Sequence, residues 1–428
     1  MNTSKPLRTL MLALAVLMLP GRAVADDFPD KASIGTNVQE LLQWADTHNP
    51  ELAAMRYEVE AANERIVPAG ALPDPVLRAE LRDFAGPGAP DGFNPLPGKG
   101  SGTKYTLMQS IPMWGKRDLR KEVATAELEQ VKGRRQATMA EIHARIKSAY
   151  AQYYQTVGLK KLNEEILRLL GDLEAVTQVR YASGLVPQQD VIRAQVEKTT
   201  LRSEIINLDT EQHHAITRLN TALGRPQHAP ISEPQSLRRI PPGRLEGTTL
   251  QEKVSRTNPL LATQSAQITA ADANRRLVEK NRYPDVTLGI APIQRGSSID
   301  SWEAMVEINI PIRFDTRRAK ESEADAMLAA AKERQQAIAN QVIGELQENL
   351  AAFEAAEKQE RLIADTLLPQ AELTFRSALA GYEAGKVDFA TLLDAQRAIK
   401  RARQDKLKAR VEQELRISEI ERMVGEEL

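Results

Sequence analysis

The chain has 428 residues with 57 basic and 58 acidic side chains, a balance that gives no electrostatic case for nucleic acid binding. Cysteine is absent, which excludes disulfides, thiolate metal sites and an acylated N-terminal cysteine. A 4% aromatic share and alanine-rich, charge-laced stretches fit long helices better than a globular core.

Lys5 and Arg8 precede an apolar run from Leu10 to Leu19, and Ala23-Val24-Ala25 supplies a small-residue cleavage pattern before Asp26. This predicts a secretory signal peptide over 1–25, with a retained N-terminal anchor as the alternative. Without Lys5, Arg8 and Arg22, 54 bases face 58 acids, a net charge of −4. No later run of about 18 apolar residues exists, so any membrane crossing falls to β-strands.

Val38 to about Ala71 carries Leu41, Leu42, Ala45, Leu52, Met55 and Val59 at helical spacing. Asn49-Pro50 interrupts this helix early and Pro73 closes it, because the residue before a proline avoids helical geometry. Leu250 to Arg282 repeats the plan, with Asn258-Pro259 as the interruption and Pro284 as the stop.

Short alternating segments follow each helix. After Asp74, Leu77, Ala79 and Leu81 share one side of a strand, and Arg78, Glu80 and Arg82 the other. Trp302, Ala304, Val306, Ile308 and Ile310 alternate with Glu303, Met305, Glu307 and Asn309. Tyr105–Met113 and Asp285–Ile293 are expected strands by adjacency. At about 9–11 residues, such segments can cross a bilayer core when tilted. Taken alone they also fit a soluble sheet with one wet face. Gly86–Gly102 is expected to be a long irregular loop and Gln294–Ser298 a shorter turn. Both would lie on the outer side if the strands span a membrane.

A proline then opens a very long helix in each half. Ile111-Pro112 leads into a run to about Arg180, and Ile310-Pro311 into one to about Ala380. Ile142, Ile146, Ala149 and Tyr153 step as a coiled-coil seam, and Leu162, Ile166, Leu169, Leu173 and Val176 continue it in shifted phase. Some 65 residues of helix rise about 100 Å. Returning helices are expected over about Gln188–Leu223 and Phe389–Val424. Each is half a rod, and end-to-end stacking on the helix before each strand pair would complete it.

The two halves are copies. Tyr181-Ala182-Ser183-Gly184-Leu185-Val186 corresponds to Tyr382-Glu383-Ala384-Gly385-Lys386-Val387, at a constant offset of 201 (382 − 181). The Ala-Gln pairs at Ala194 and Ala395 keep that offset. The predicted organisation is repeat 1 over 26–223, with a strand pair at about 74–113 and a hairpin tip near 181–187. A crossing loop over 224–247 joins it to repeat 2 over 248–428, with strands at about 285–312 and a tip near 382–388.

The order helix, strand pair, helical hairpin, given twice behind a signal peptide, resembles the outer-membrane efflux protein family, the TolC-like channels. The tips Tyr181-x-x-Gly184-Leu185 and Tyr382-x-x-Gly385 carry the resemblance, with Asp190-Val191-Ile192 and Leu392-Leu393-Asp394-Ala395-Gln396. Pro73-Asp74-Pro75, Ile111-Pro112-x-x-Gly115-Lys116-Arg117 and Ile310-Pro311-x-x-Phe314-Asp315 are similar to its heavy-metal efflux branch. These last signals sit at strand–helix junctions, where they serve backbone geometry rather than cargo recognition.

The resemblance implies a mainly α fold with a small β part. A homotrimer would give four strands per chain to a twelve-stranded outer-membrane barrel, continuous with a periplasmic helical coiled-coil barrel. It implies a passive conduit for a periplasmic adaptor and a proton-driven inner-membrane pump, with outer-membrane lipid around it and no cofactor. Asp394 matches an acid of the family's entrance ring, and Thr391 replaces a second. Three Asp394 carboxylates around an axis would repel each other and favour cations. Tyr382 and Asp190 match the tethering network of the gate. Val387 stands where an arginine often sits, leaving the lock looser or built through Lys386. The docking candidates are the tips Gly184, Leu185, Val186 and Gly385, Lys386, Val387, whose glycines also serve simply to reverse a helix.

His213-His214 is the one tempting metal pair, but neighbours on a helix point apart and cannot chelate one ion within a chain. No nucleophile–base pair or phosphate loop points to an enzyme. A periplasmic adaptor is the first rival, though adaptors carry one hairpin flanked by β domains. A structural coiled-coil protein would not need the four strands. Metal ions, drugs and secreted polypeptides all remain open as cargo.

Overall fold

The computed structural model describes residues 33–82, 102–238, 240 and 245–428. The expected signal peptide, most of the loop from Gly86 and part of the crossing stretch lie outside the described residues. Repeat 1 comprises α1 (Val38–His48), α2 (Pro50–Glu64), α3 (Ile66–Gly70), β1 (Val76–Arg82), β2 (Gly102–Ile111), α4 (Lys116–Ala182) and α5 (Gln188–Leu223). Repeat 2 comprises α6 (Gly247–Thr257), α7 (Pro259–Lys280), β3 (Val286–Arg295) and β4 (Ser298–Ile308). It continues with α8 (Phe314–Leu362), a π-helical turn (Ile363–Leu367), α9 (Leu368–Glu383) and α10 (Phe389–Val424). That π turn lies just before Pro369, whose missing N–H disturbs the helical ladder; α4 has no counterpart.

The helices before each strand pair divide more completely than the periodicity implied. Asn49 and Asn258 hold extended ψ values of 123° and 122° because Pro50 and Pro259 follow. Each asparagine oxygen accepts from the first N–H groups of the new helix, Glu51 and Leu52 in one copy and Leu260 and Leu261 in the other. Each Nδ2 donates backwards, Asn49 to the Ala222 carbonyl at 2.9 Å and Asn258 to that of Met423 at 2.7 Å. The capping asparagine thus splices the end of α5 onto α2, and the end of α10 onto α7. Gly224 and Gly425, at φ +73° and +82°, end the upper-chain helices there against Pro50 and Pro259.

Only α2–α3 and α7 therefore extend the stacks, which corrects the expectation that the whole preceding segment would. Helices α1 and α6, 11 residues each, turn aside. Val38, Leu41, Leu42 and Ala45 of α1 bury against Ile142, Ile146, Tyr150 and Tyr153 of α4 and Leu219 and Leu223 of α5. Leu250 and Val254 of α6 do the same against Val342, Leu346, Ile420 and Met423. The phase shift in α4 has the same origin. Its first stripe faces α1, while Leu162, Ile166, Leu170 and Leu173 face Leu201, Leu392 and Leu393 of the returning helices. Leu170 is fully buried and Val176 is 45% exposed, so the second stripe is not the simple continuation expected.

The four strands form one antiparallel sheet in the order β1-β2-β3-β4, joined between the repeats by β2 and β3. Strand β2 opens at Gly102, earlier than expected, and ends at Ile111 because Pro112 cannot continue the ladder. Register places Leu77, Leu107, Ile290 and Ala304 side by side across one face. The same face carries Leu288, Val306, Trp302 and Ile308, which are 46–66% exposed. On the other face Lys104 donates to Glu303 at 2.6 Å across β3, and Arg82 approaches the same carboxylate at 3.9 Å. The outer strands β1 and β4 leave the sheet with two open edges.

The crossing stretch is held by buried charge. Ser232 donates its N–H to the Ile34 carbonyl, pairing the stretch with the residues before α1. Arg238 then reaches Glu414 at 2.7 Å and Glu421 at 3.0 Å. Lys147 of α4, 2% exposed at its side chain, shares the Oε2 oxygen of Glu421 with Arg238, at 2.7 Å, and reaches Glu427 at 3.1 Å. One cluster of charges thus ties α4, α10, the crossing stretch and the C-terminal residues together. No helix among the described residues is long and apolar enough to cross a membrane.

Candidate functional site

Both hairpin tips close by the same backbone device. Gly184 N–H donates to the Tyr181 carbonyl and Leu185 N–H to that of Arg180; Gly385 and Lys386 repeat this on Tyr382 and Gly381. These are Schellman turns, which require the glycine to be left-handed, and φ is +71° and +68°. The turn satisfies carbonyls that the helix end would leave orphaned. It also projects Leu185, 67% exposed, and leaves Lys386 exposed. Val186 and Val387 are half-buried: Val186 packs on the core beneath the tips, and Val387 sits against Gly381, where a Cβ would approach it to 2.6 Å.

Tyr382 lies inside the tip, 2% exposed. Its hydroxyl donates to Thr177 Oγ1 of α4 at 3.2 Å, and its ring meets Phe389 edge-on at 5.6 Å. Arg180 lies over that ring at 4.9 Å and donates to the Glu383 carbonyl at 3.0 Å. The two hairpins of one chain are therefore tied at their tips by Tyr382, Thr177 and Arg180. Tyr382 does not bond Asp190, and Lys386 makes no side-chain bond among the described residues.

Asp190 is buried at the start of α5; burial pushes its carboxyl above the usual range, Arg193 opposes this and Asp388 reinforces it. Asp388 caps α10 by accepting from the Thr391 N–H, and the Thr391 side chain, with that N–H second, holds its carboxyl below the usual range. Thr391 thus serves the cap.

Asp394 is open to solvent, 74% exposed at its side chain, and touches Arg397 at 3.4 Å. Arg397 is engaged more closely by Glu197 of α5 at 2.6 Å. Above it Lys400 meets Glu204 at 2.6 Å and Arg403 meets Glu165 at 2.9 Å. Glu197 and Glu204, seven apart on α5, and Glu165 of α4 thus meet bases three apart on α10 in a ladder between the hairpins. Those spacings were visible in the sequence, but nothing in it said that the two stripes meet. A groove of about 730 Å³ between the returning helices is lined by Gln189, Ile192, Val196, Leu393, Asp394 and Arg397.

His213 stacks on His228 at 6.1 Å between ring centroids, rather than acting with His214. No group of three or more metal-ligating side chains occurs among the described residues.

Residues 41–225 and 250–426, one block in each repeat, match the model of the outer membrane efflux protein family. This chain belongs to that family. The cobalt-zinc-cadmium resistance protein CzcC of Cupriavidus metallidurans is 25% identical over 415 residues, covering 92% of this chain and 93% of CzcC. The fold is shared with the outer membrane protein VceC of Vibrio cholerae, at a TM-score of 0.77 and 18% identity over 91% of this chain and 96% of VceC. The open state of the Neisseria gonorrhoeae outer membrane channel MtrE superposes at 0.72, with 16% identity and 93% of both chains covered. As an outer membrane efflux protein the chain is a transport channel of the outer membrane with a large periplasmic part.

Proposed function

We propose that three copies of this chain close one twelve-stranded barrel and form the exit duct for divalent metal cations. The observation that carries the trimer is the four-stranded sheet, apolar and exposed on one face and open at both edges. Open edges in hydrocarbon leave N–H and C=O groups unsatisfied at several kcal/mol each, so a lone chain would not be stable there. Closure against further copies removes both edges. Cargo passes down the charged face of the sheet and between the helical columns, with energy coming from an inner-membrane pump through an adaptor.

The metal assignment is supported by the similarity to CzcC over nearly the whole chain. A strain lacking this channel is expected to lose resistance to cobalt, zinc and cadmium by about tenfold or more in inhibitory concentration. Resistance to dyes and detergents should be nearly unchanged. Sensitisation to dyes and detergents alone would give the drug-efflux reading instead.

The adaptor is assigned to the exposed tips around Gly184-Leu185-Val186 and Gly385-Lys386-Val387, and the gate to the region of Asp394, Asp190 and Tyr382. Asp394 projects beyond the Arg397–Glu197 pair, so its charge is incompletely neutralised. Asp394→Ala is expected to lower cation preference in planar-bilayer recordings and to raise conductance severalfold. Unchanged conductance together with unchanged selectivity would remove Asp394 from the gate.

A further inference from the structure

We propose that each chain binds an anionic glycerophospholipid of the periplasmic-facing leaflet where β4 passes into α8. The proposal rests on the sheet being membrane-spanning. The alternation that makes Trp302, Ala304, Val306 and Ile308 one apolar face continues to Ile310, which is 70% exposed. Ile312 and Phe314 follow at 71% and 59% exposure, so the apolar surface does not stop with the strand. Directly against it lies a groove of about 330 Å³ between α7 and α8. Its floor includes Ile310, Pro311 and Ile312, and its rim carries Arg313, Arg317 and Lys320.

Two of the three rim bases are uncompensated. No carboxylate lines the groove, and Arg313 and Lys320 have no ion pair among the described residues. Of the acids close by, Glu321 reaches only Arg317, at 3.8 Å, while Asp315 is exposed beside the groove and Asp285 is held by Lys116 at 2.9 Å. Arg317 also stacks over Phe314 at 4.9 Å, which fixes its guanidinium at the apolar boundary. The pseudo-equivalent junction of repeat 1 is different. There Lys116 is buried on Asp285 and the Tyr283 carbonyl, and Arg117 donates to the Gly70 carbonyl, so the bases are consumed within the chain. Farther along α4, Arg120 and Lys121 have no ion pair among the described residues, so the two junctions differ in the bases next to the strand: repeat 1 ties them down, and repeat 2 leaves Arg313 exposed.

An apolar floor continuous with the strand face suits the glycerol and first methylenes of a lipid chain. Three cations at its rim suit a phosphodiester and disfavour a zwitterionic head group, whose ammonium they would repel. Anionic head groups gain about 1 kcal/mol for each nearby Lys or Arg. The helix side of the sheet is the periplasmic side, which selects a glycerophospholipid over lipid A as the source of the phosphate.

Native mass spectrometry of the assembled full-length channel, titrated with dioleoylphosphatidylglycerol, dioleoylphosphatidylcholine or lipid A, tests this. Wild type is expected to retain phosphatidylglycerol in preference to the other two. Arg313→Gln combined with Lys320→Gln should weaken that retention about thirtyfold. Lys332→Gln combined with Arg334→Gln, which removes two exposed charges farther along α8, should leave it unchanged. Equal retention of phosphatidylcholine, preference for lipid A, an unaffected double variant, or an equal loss in the control would each overturn the proposal. Detergent-resistant oligomers in the same samples report separately on whether the sheet assembles as a membrane barrel.

Discussion

Arg238→Ala is expected to destabilise the purified channel by about 3–5 kcal/mol at neutral pH, because it strands buried carboxylates. Glu414 and Glu421 are each 4% exposed at their side chains, and Arg238 bonds both. Burial alone would push the Glu421 carboxyl up; Arg238 and Lys147 outweigh burial and hold it below its ordinary 4.5. A carboxyl lowered in this way stabilises the fold fully above about pH 4.5 and loses that contribution as pH falls through its folded value. Removing Arg238 leaves Lys147 to neutralise Glu421 while it also serves Glu427. Burial then dominates, and the carboxyl rises. The defect should therefore be largest at neutral pH and shrink on acidification, since protonation removes the stranded charge. Adding Glu421→Gln should recover part of the loss. Thermal unfolding followed by helical circular dichroism in detergent measures all three. A gap between wild type and variant that widens in acid would contradict this account of the cluster.

The second large effect concerns the sheet. Ile290 lies between Leu107 and Ala304 on the apolar face and is 53% exposed. An arginine there is expected to cost about 2–4 kcal/mol per chain near the bilayer midplane. With three chains contributing, detergent-resistant oligomer in the outer membrane should fall to a small fraction of wild type. Thr287→Arg places the same charge on the opposite face, across from Glu307, and should be nearly neutral. Quantitative blotting of outer-membrane fractions compares the two. Equal loss from both variants would mean that the two faces do not meet lipid and water as assigned.

Local patterning reads through to the fold wherever one segment carries its own instructions. Pro50, Pro73, Pro112, Pro259 and Pro311 punctuate the chain because a missing N–H and a fixed φ act on the residue's immediate neighbours. Gly184 and Gly385 set the tips because only a residue without Cβ adopts their left-handed backbone at no steric cost. The strand alternation and the offset of 201 between halves also belong to the sequence itself.

What the chain order alone could not disclose is which distant segments meet. Asn49 and Asn258 mark only an interruption before a proline in the sequence, yet their amide nitrogens splice separate helices together. Tyr382 could be placed at a tip, but Thr177 and Arg180 become its partners only once α4 lies beside the second hairpin. Glu197 and Arg397, 200 positions apart, and the Arg238–Glu421–Lys147 cluster likewise carry no local signature. Periodicity reports on the dihedrals and faces of one element. Contacts between elements depend on how several faces are buried at once, and only the packed chain decides that.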